Sequence, residues 1–200
     1  QHANPYRMNL AKVMGVSESR IRVVSGDIGG SYGMKSSVYN ENILALWATK
    51  VTGRPVKWTS DRTEAFQSDS QGRDNVTTGE LALDRDGKFL GMRVKTIGNL
   101  GAYVTQAAGG PLTINLGTLA GVYTTPAIHV DVTAVYSHTT ITRPFRGAGR
   151  PEAAFVIERL VDLAADELGL DPAELRRRNT IPPDAMPFQT GLTFKYDCGA

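Results

Sequence analysis

The spacing of apolar residues predicts four helices in this chain of 200 residues. The first begins at the pair Asn4-Pro5, a typical cap and first helical residue, and ends before Gly15. The second carries its apolar residues on one face and stops at Gly53. The third starts at Pro151 and has the clearest apolar stripe of the chain. A capping-box pattern over residues 171–174 opens a fourth, shorter helix.

Other segments have the β-branched or alternating patterns that are typical of strands. Short strands are predicted over residues 21–24 and 55–59. Residues 77–83 and 88–96 are predicted to pair, because an Asp-Gly turn signal lies between them, and residues 127–136 predict a further strand. Together these elements predict an α+β fold in which helices pack on a mixed β-sheet.

Composition and charge exclude several classes of function. The hydrophobic fraction of 41% is enough for the core of one domain or slightly more. The net charge of +2, with both signs interspersed, gives no electrostatic surface for nucleic acid. The chain contains no apolar run of the roughly 20 residues that a membrane span requires and no charged-then-apolar leader. We therefore expect no nucleic-acid partner, no membrane span and a cytoplasmic location.

The cysteine and histidine content limits the metal chemistry that this chain can support alone. Cys198 is the single cysteine, so the chain forms no internal disulfide and cannot hold an iron–sulfur cluster, which needs about four thiolates. The three histidines show no metal-ligand spacing. We therefore predict no metal site built from side chains of this chain.

The first candidate for chemistry is the glycine turn, residues 29–33, which precedes the second helix. Glycines allow backbone N–H groups to approach an anion or a planar ligand. Met34 separates Gly33 from Lys35, so the spacing of a phosphate-binding loop is not met. Both a structural turn and an anion- or nucleotide-binding loop remain open. We predict an exposed turn around Tyr32 with at least one glycine of positive φ.

The second candidate is the arginine loop, residues 144–151, which leads into the third helix. Small residues leave space, while Arg146, Arg150 and the helix N-terminus supply positive charge that suits a phosphate or an oxo ligand. The alternative is an ordinary loop whose arginines pair with acids such as Glu152 or Glu158.

Five motifs in this order resemble the large subunits of molybdenum hydroxylases of the xanthine dehydrogenase, aldehyde oxidase and carbon monoxide dehydrogenase type. The motifs lie at residues 1–5, 29–33, 98–103, 145–152 and 171–179. The resemblance covers the whole chain. It implies that residues 1–200 are part of the molybdopterin-binding domain of a longer subunit, and that this segment alone is inactive.

The resemblance also implies a cofactor, a reaction and partners. The cofactor of that family is a molybdopterin with molybdenum, often in its cytosine dinucleotide form in bacteria. The reaction is hydroxylation of an aldehyde or an N-heteroaromatic ring carbon, with the oxygen taken from water. Electrons leave through iron–sulfur clusters and FAD on other subunits or domains, within an oligomer. The family's essential glutamate lies farther towards the C-terminus than this chain extends.

Residue by residue, the resemblance implies catalytic roles for Gln1, which hydrogen-bonds an oxo ligand of molybdenum, and for Arg146, which lies against the metal and the pterin. Both loops contribute residues that contact the cofactor. These are Gly29, Gly30, Tyr32, Gly33, Phe145, Gly147 and Ala148.

Three positions depart from particular relatives. Gly147 stands where carbon monoxide-oxidising members have a copper-binding cysteine. Ser36 and Ile114 stand where purine-oxidising members have a glutamate and an arginine. Neither carbon monoxide nor a purine is therefore the expected substrate. The remaining alternatives are an isolated structural domain without cofactor and an anion- or nucleotide-binding protein that uses residues 29–33.

Overall fold

The computed structural model describes residues 1–105 and 107–197. The chain divides into an N-terminal unit, residues 1–70, and a C-terminal unit, residues 71–200, which we describe separately. Cys198, on which the prediction about disulfides and clusters rests, lies outside the described residues.

The N-terminal unit is helical. It contains α1 (Ala3–Met14), α2 (Asn40–Thr52) and α3 (Arg62–Ser68). Gly15 and Gly53 end the first two helices in the left-handed conformation, as the sequence predicts. The predicted start of α1 is two residues too late, because the helix already includes Asn4 and its N-cap is His2.

The strands predicted over residues 21–24 and 55–59 are wrong, since neither segment belongs to a strand. Both contain exposed apolar side chains, including Val24 and Trp58. Helix α3 was not predicted, although Asp61 and Glu64 form a reciprocal capping box at its start, with contacts of 2.8 and 2.9 Å.

The C-terminal unit is built on a three-stranded sheet. Its strands are β1 (Asn75–Leu83), β2 (Phe89–Gly101) and β3 (Ile128–Tyr136), in the order β1-β2-β3. β1 pairs with β2 antiparallel, and β2 pairs with β3 parallel. The sheet is therefore mixed, and the α+β prediction is confirmed. The predicted Asp-Gly turn joins β1 to β2, with Gly87 at φ 79°.

Three helices and a small hairpin complete this unit. They are α4 (Gly110–Thr118), α5 (Arg150–Leu168), α6 (Pro172–Asn179), β4 (Phe188–Gln189) and β5 (Lys195–Tyr196). α5 and its end at Gly169 match the prediction, whereas α4 was not predicted. The predicted capping box does not form at α6. The Asp171 carboxylate accepts from the Ala173 N–H at 3.2 Å, and Glu174 pairs with Arg177 and Arg178.

The core lies between α5 and the sheet. Ile157 and Val161 of α5 are almost fully buried, as are Val94 of β2 and Leu119 after α4. Burying a side chain of this size contributes about 1.5–3 kcal/mol. The apolar stripe of α5 thus fixes the position of its N-terminus, where the arginine loop ends.

A polar network joins α5 to α6 at the edge of this core. The hydroxyl of Tyr123 donates to Glu158 at 2.8 Å, and Arg176 binds both Glu158 and Asp162 at 2.8 Å. Burial of the tyrosine and its hydrogen bond to Glu158 raise the pKa of Tyr123 well above its usual value. The phenol therefore stays protonated and acts as a structural donor.

No helix in the described part of the chain is long and apolar enough to cross a membrane.

Candidate functional site

The glycine turn has the backbone that the sequence predicts. Gly29, Gly30 and Gly33 have φ values of 67°, 100° and 108°. Tyr32, at φ 53°, also lies in the left-handed region, and its side chain is 59% exposed. Left-handed backbone is costly for a residue with a side chain and is often found where a ligand is bound. The predicted exposed turn around Tyr32 is confirmed.

The backbone of the glycine turn is accessible at Gly29, and two hydrogen bonds from Lys35 stabilise the turn. A Cβ atom placed on Gly29 would meet nothing within 4 Å, so the backbone there is accessible. Behind it, the Lys35 ammonium donates to the carbonyl of Ile28 at 2.8 Å, and the Lys35 N–H donates to the Ser31 hydroxyl at 3.1 Å. A flat ligand can therefore approach Gly29 without displacing a side chain.

The surroundings of this turn differ from those of a nucleotide-binding loop. Such a loop joins a strand to a helix and offers its lysine to phosphates. Here the predicted strand over residues 21–24 is absent, and only a short 3-10 turn, Met34–Ser36, follows the glycines. Lys35 is already engaged with Ile28. The geometry gives the nucleotide-binding alternative no support.

The arginine loop is a tight turn at the N-terminus of α5. Gly147, Ala148 and Gly149 have φ values of 93°, 48° and 100°. The Ala148 N–H donates to the Phe145 carbonyl at 2.7 Å, which closes the turn. Three consecutive left-handed residues expose Phe145 and Arg146 at the tip of the loop. The 19-residue helix behind them adds partial positive charge.

The arginines of this loop do not form the predicted ion pairs. Glu158 binds Tyr123 and Arg176. The guanidinium of Arg150 donates to the Gly147 carbonyl, at 3.4 Å. Among the described residues, no acidic side chain pairs with Arg146 or Arg150. The alternative of an ordinary salt-bridged loop is therefore wrong, and the charge of Arg146 remains available to an anion.

Asn99 connects the sheet to the segment that leads into the arginine loop. Its side-chain amide donates to Asp74 at 2.6 Å and to Thr139 at 2.7 Å, and its oxygen accepts from the Gly101 N–H at 2.8 Å. A Cβ atom on Gly101 would lie 2.5 Å from the Thr140 carbonyl, so only glycine fits. The motif at residues 98–103 thus holds in place the segment that precedes the arginine loop.

Arg73 contacts the arginine loop and was missed by the sequence analysis. Its guanidinium donates to the backbone carbonyl of Arg146 and lies 5.0 Å from the centroid of the Phe145 ring. Its Nε lies 3.6 Å from the Glu152 carboxylate. Arg73 stands in no motif, and these contacts span more than 70 residues, so the local sequence held no signal for them.

The predicted site residues fall into two groups. Gln1, which is exposed before α1, and the glycine turn belong to residues 1–70. Phe145, Arg146, Gly147 and Ala148 belong to residues 71–200 and lie together in one loop. No group of three or more histidine, cysteine or acidic side chains among the described residues could hold a metal ion. Taken separately, the glycine turn offers accessible backbone, and the arginine loop offers an exposed guanidinium that suits an anionic ligand.

Comparisons with known proteins also indicate a site for an anionic cofactor. A family described as molybdopterin cofactor-binding domain matches residues 1–180. The chain is 38% identical, over 98% of its length, to the 6-hydroxypseudooxynicotine dehydrogenase complex subunit gamma of Paenarthrobacter nicotinovorans, of which it covers 25%. It is 37% identical to the carbon monoxide dehydrogenase large chain of Hydrogenophaga pseudoflava, covering 96% of this chain and 24% of that one.

A solved structure has the same fold. The crystal structure of quinoline 2-oxidoreductase from Pseudomonas putida 86 superposes with a TM-score of 0.92 at 31% identity, covering 98% of this chain and 25% of that one. The chain therefore spans about a quarter of the length of these relatives. It belongs to the molybdopterin cofactor-binding domain family, as part of a molybdenum hydroxylase large subunit.

Proposed function

We propose that this chain is the cofactor-binding segment of an oxidoreductase that hydroxylates an N-heteroaromatic compound or an aldehyde with oxygen from water. The observation that carries the proposal is the arginine loop. It presents a guanidinium without an acidic partner among the described residues, on a tight turn at the N-terminus of α5. A fixed donor of this kind stabilises negative charge that develops during a reaction.

The donor set of the chain fits a molybdopterin. Its phosphate and oxo groups are anionic and suit Arg146, while its flat pterin suits the accessible backbone of the glycine turn and the exposed ring of Tyr32. When bound, the cofactor supplies two-electron redox chemistry at molybdenum. Its cytosine dinucleotide form is part of the proposal.

The roles of the chain's own residues follow from their chemistry. The Arg146 guanidinium would hold negative charge at the reacting centre, and the Gln1 carboxamide would donate a hydrogen bond to an oxygen atom of the cofactor. Gly147 and Ala148 keep the loop backbone close to the cofactor, because one has no side chain and the other a methyl group only. Phe145 and Tyr32 are each proposed to contact the cofactor with an exposed aromatic ring.

The names of the relatives favour an N-heteroaromatic substrate, since one is called a quinoline 2-oxidoreductase. Carbon monoxide is not proposed, although two relatives are named for it. Gly147 occupies the position of the copper-binding cysteine, its φ is 93°, and a Cβ atom there would lie 2.5 Å from the Pro151 ring. Ser36 and Ile114 likewise argue against a purine.

The whole protein would need further components. We propose iron–sulfur and FAD-containing subunits or domains as electron acceptors, within a cytoplasmic oligomer. One relative is named as a subunit of a complex, which supports this arrangement. Because the chain spans a quarter of its relatives, the 200 residues alone are proposed to be inactive.

The test is an isotope experiment on the complete enzyme. The native complex oxidises an N-heteroaromatic compound such as quinoline with an artificial electron acceptor, in water labelled with oxygen-18. We expect mass spectrometry to find the label in the product, and no label when labelled O2 is used in ordinary water. Incorporation from O2, or no oxidation by a molybdenum-loaded complex of any heteroaromatic or aldehyde offered, would contradict the proposed function.

A further inference from the structure

We propose that Arg73 is a positioning residue that holds the arginine loop, residues 144–151, in the shape that presents Arg146 to the cofactor. This inference rests on the proposed function and adds a residue to it. Arg73 does not touch the reacting atoms in this proposal, and it acts through Arg146.

The Arg73 side chain makes three different contacts around the loop. One nitrogen donates to the Arg146 carbonyl, the planar group lies 5.0 Å from the centroid of the Phe145 ring, and Nε lies 3.6 Å from Glu152 at the start of α5. The planar fork of a guanidinium can make all three contacts at once, which the single ammonium of lysine cannot. The Arg73 guanidinium therefore contacts both the tip of the arginine loop and the first turn of α5.

The backbone of Arg73 is itself held in an unfavourable conformation. Its φ of 56° is uncommon for a residue with a side chain. On one side, Gln71 hydrogen-bonds to Ile141 at 2.9 Å and to Arg143 at 2.8 Å. On the other side, Asp74 binds Asn99 through its backbone and its carboxylate. Such strain persists only where the surroundings enforce it, and it is found at functional sites.

The packing between the two segments is close. A Cβ atom on Gly72 would lie 2.7 Å from the Phe145 Cβ atom. A Cβ atom on Gly147 would lie 3.7 Å from the Arg73 guanidinium and 2.5 Å from Pro151. Gly72 is therefore needed for the segment around Arg73 to approach Phe145, and Gly147 is needed for the turn before Pro151 to close. The Arg73 side chain, which is 32% exposed, lies against this packed surface.

Arg73 also affects the loop by compensating the negative charge of Glu152. Its Oε2 atom is buried and accepts no hydrogen bond from the described residues, so the Arg73 guanidinium at 3.6 Å is its nearest countercharge among the ion pairs found. Loss of Arg73 would leave a carboxylate uncompensated beside a loop that must receive an anion. The field of that carboxylate would oppose the charge of Arg146.

The experiment uses the full-length subunit in its native complex. We compare Arg73→Ala with Arg93→Ala, because Arg93 also pairs with a glutamate, Glu80, but on the exposed face of the sheet. We expect Arg73→Ala to lower kcat roughly 10- to 100-fold through misplacement of Arg146, with KM and molybdenum content close to wild type. Arg93→Ala should retain wild-type kcat.

A double-mutant cycle separates positioning from general damage to the fold. If Arg73 acts through Arg146, adding Arg73→Ala to Arg146→Ala should lower kcat by less than about threefold. Hydrogen exchange at the Ala148 and Arg150 amides, which close the turn, should accelerate roughly tenfold in Arg73→Ala and stay unchanged in Arg93→Ala. Should Arg73→Ala fail to assemble, Arg73→Lys replaces it, with the same direction expected.

The proposal is overturned if the kcat loss of the double variant equals the product of the two single losses. It is also overturned if hydrogen exchange at the Ala148 and Arg150 amides is unchanged in Arg73→Ala. The exchange measurement does not depend on the cofactor. If the wild-type complex contains no molybdenum, the proposed function fails, and exchange alone then decides whether Arg73 holds the loop.

Discussion

In the complete subunit, Arg146→Ala is expected to lower kcat roughly 100- to 1,000-fold while leaving the fold intact, the usual cost of removing one preorganised donor at a reacting oxyanion. The side chain of Arg146 is exposed and has no acidic partner among the described residues, so its removal costs little stability. Its charge at the tip of the loop is lost entirely. The measurement is kcat on one accepted heteroaromatic compound, at equal molybdenum loading.

Two further variants make this result specific. Arg146→Lys should also fail, because an ammonium cannot reproduce the planar fork of a guanidinium. Arg159→Ala is the matched control, since Arg159 is exposed on α5 and should keep wild-type kcat. Wild-type activity of Arg146→Ala at equal metal loading would remove Arg146 from the site and leave only a structural role for the loop.

Asn179→Ala is expected to lower the free energy of unfolding of the C-terminal unit by about 3 kcal/mol. Asn179 is 1% exposed and ends α6. Its oxygen accepts from the Phe89 N–H at 2.8 Å, and its amide donates to the carbonyls of Gly87 and Leu175 at 2.8 and 2.9 Å. Alanine would remove the side-chain partner of the buried Phe89 N–H and of the Gly87 carbonyl, which is more costly than losing a hydrogen bond in water.

The effect can be measured by urea denaturation followed by circular dichroism. Arg177→Ala provides the control on the same helix, because its ion pair with Glu174 is exposed and such pairs contribute roughly 0–1 kcal/mol. Equal denaturation midpoints for Asn179→Ala and Arg177→Ala would show that the Asn179 hydrogen bonds do not hold α6 to the turn between β1 and β2.

The predictable parts of the fold are those with local signals. α1, α2 and α5 each end at a glycine in the left-handed conformation, and the Asp-Gly turn before Lys88 fixes the pairing of β1 with β2. The strands expected over residues 21–24 and 55–59 do not form, and the reason lies in tertiary structure and not in the local sequence. A β-branched run becomes a strand only when a neighbouring strand pairs with it, and none does so there.

The candidate site was predictable to a similar extent. Glycines marked both loops, and two arginines before a helix also marked the second loop. The positive φ values of Gly29 and Gly147 agree with that interpretation. Arg73 could not be found in this way, because its role depends on contacts with Arg146 and Glu152, which are distant in sequence. Asn99 lay in a recognised motif, but its anchoring contacts with Asp74 and Thr139 became visible only in the structure.

The central claim is that this chain helps to bind a molybdenum cofactor, and the cofactor content of the native full-length subunit tests it most directly. Purified without added metal, the subunit should contain stoichiometric molybdenum and release a fluorescent pterin on oxidation, while the 200-residue chain alone should contain neither. A full-length subunit that carries a bound nucleotide instead, or that is folded with no cofactor at all, would contradict the claim.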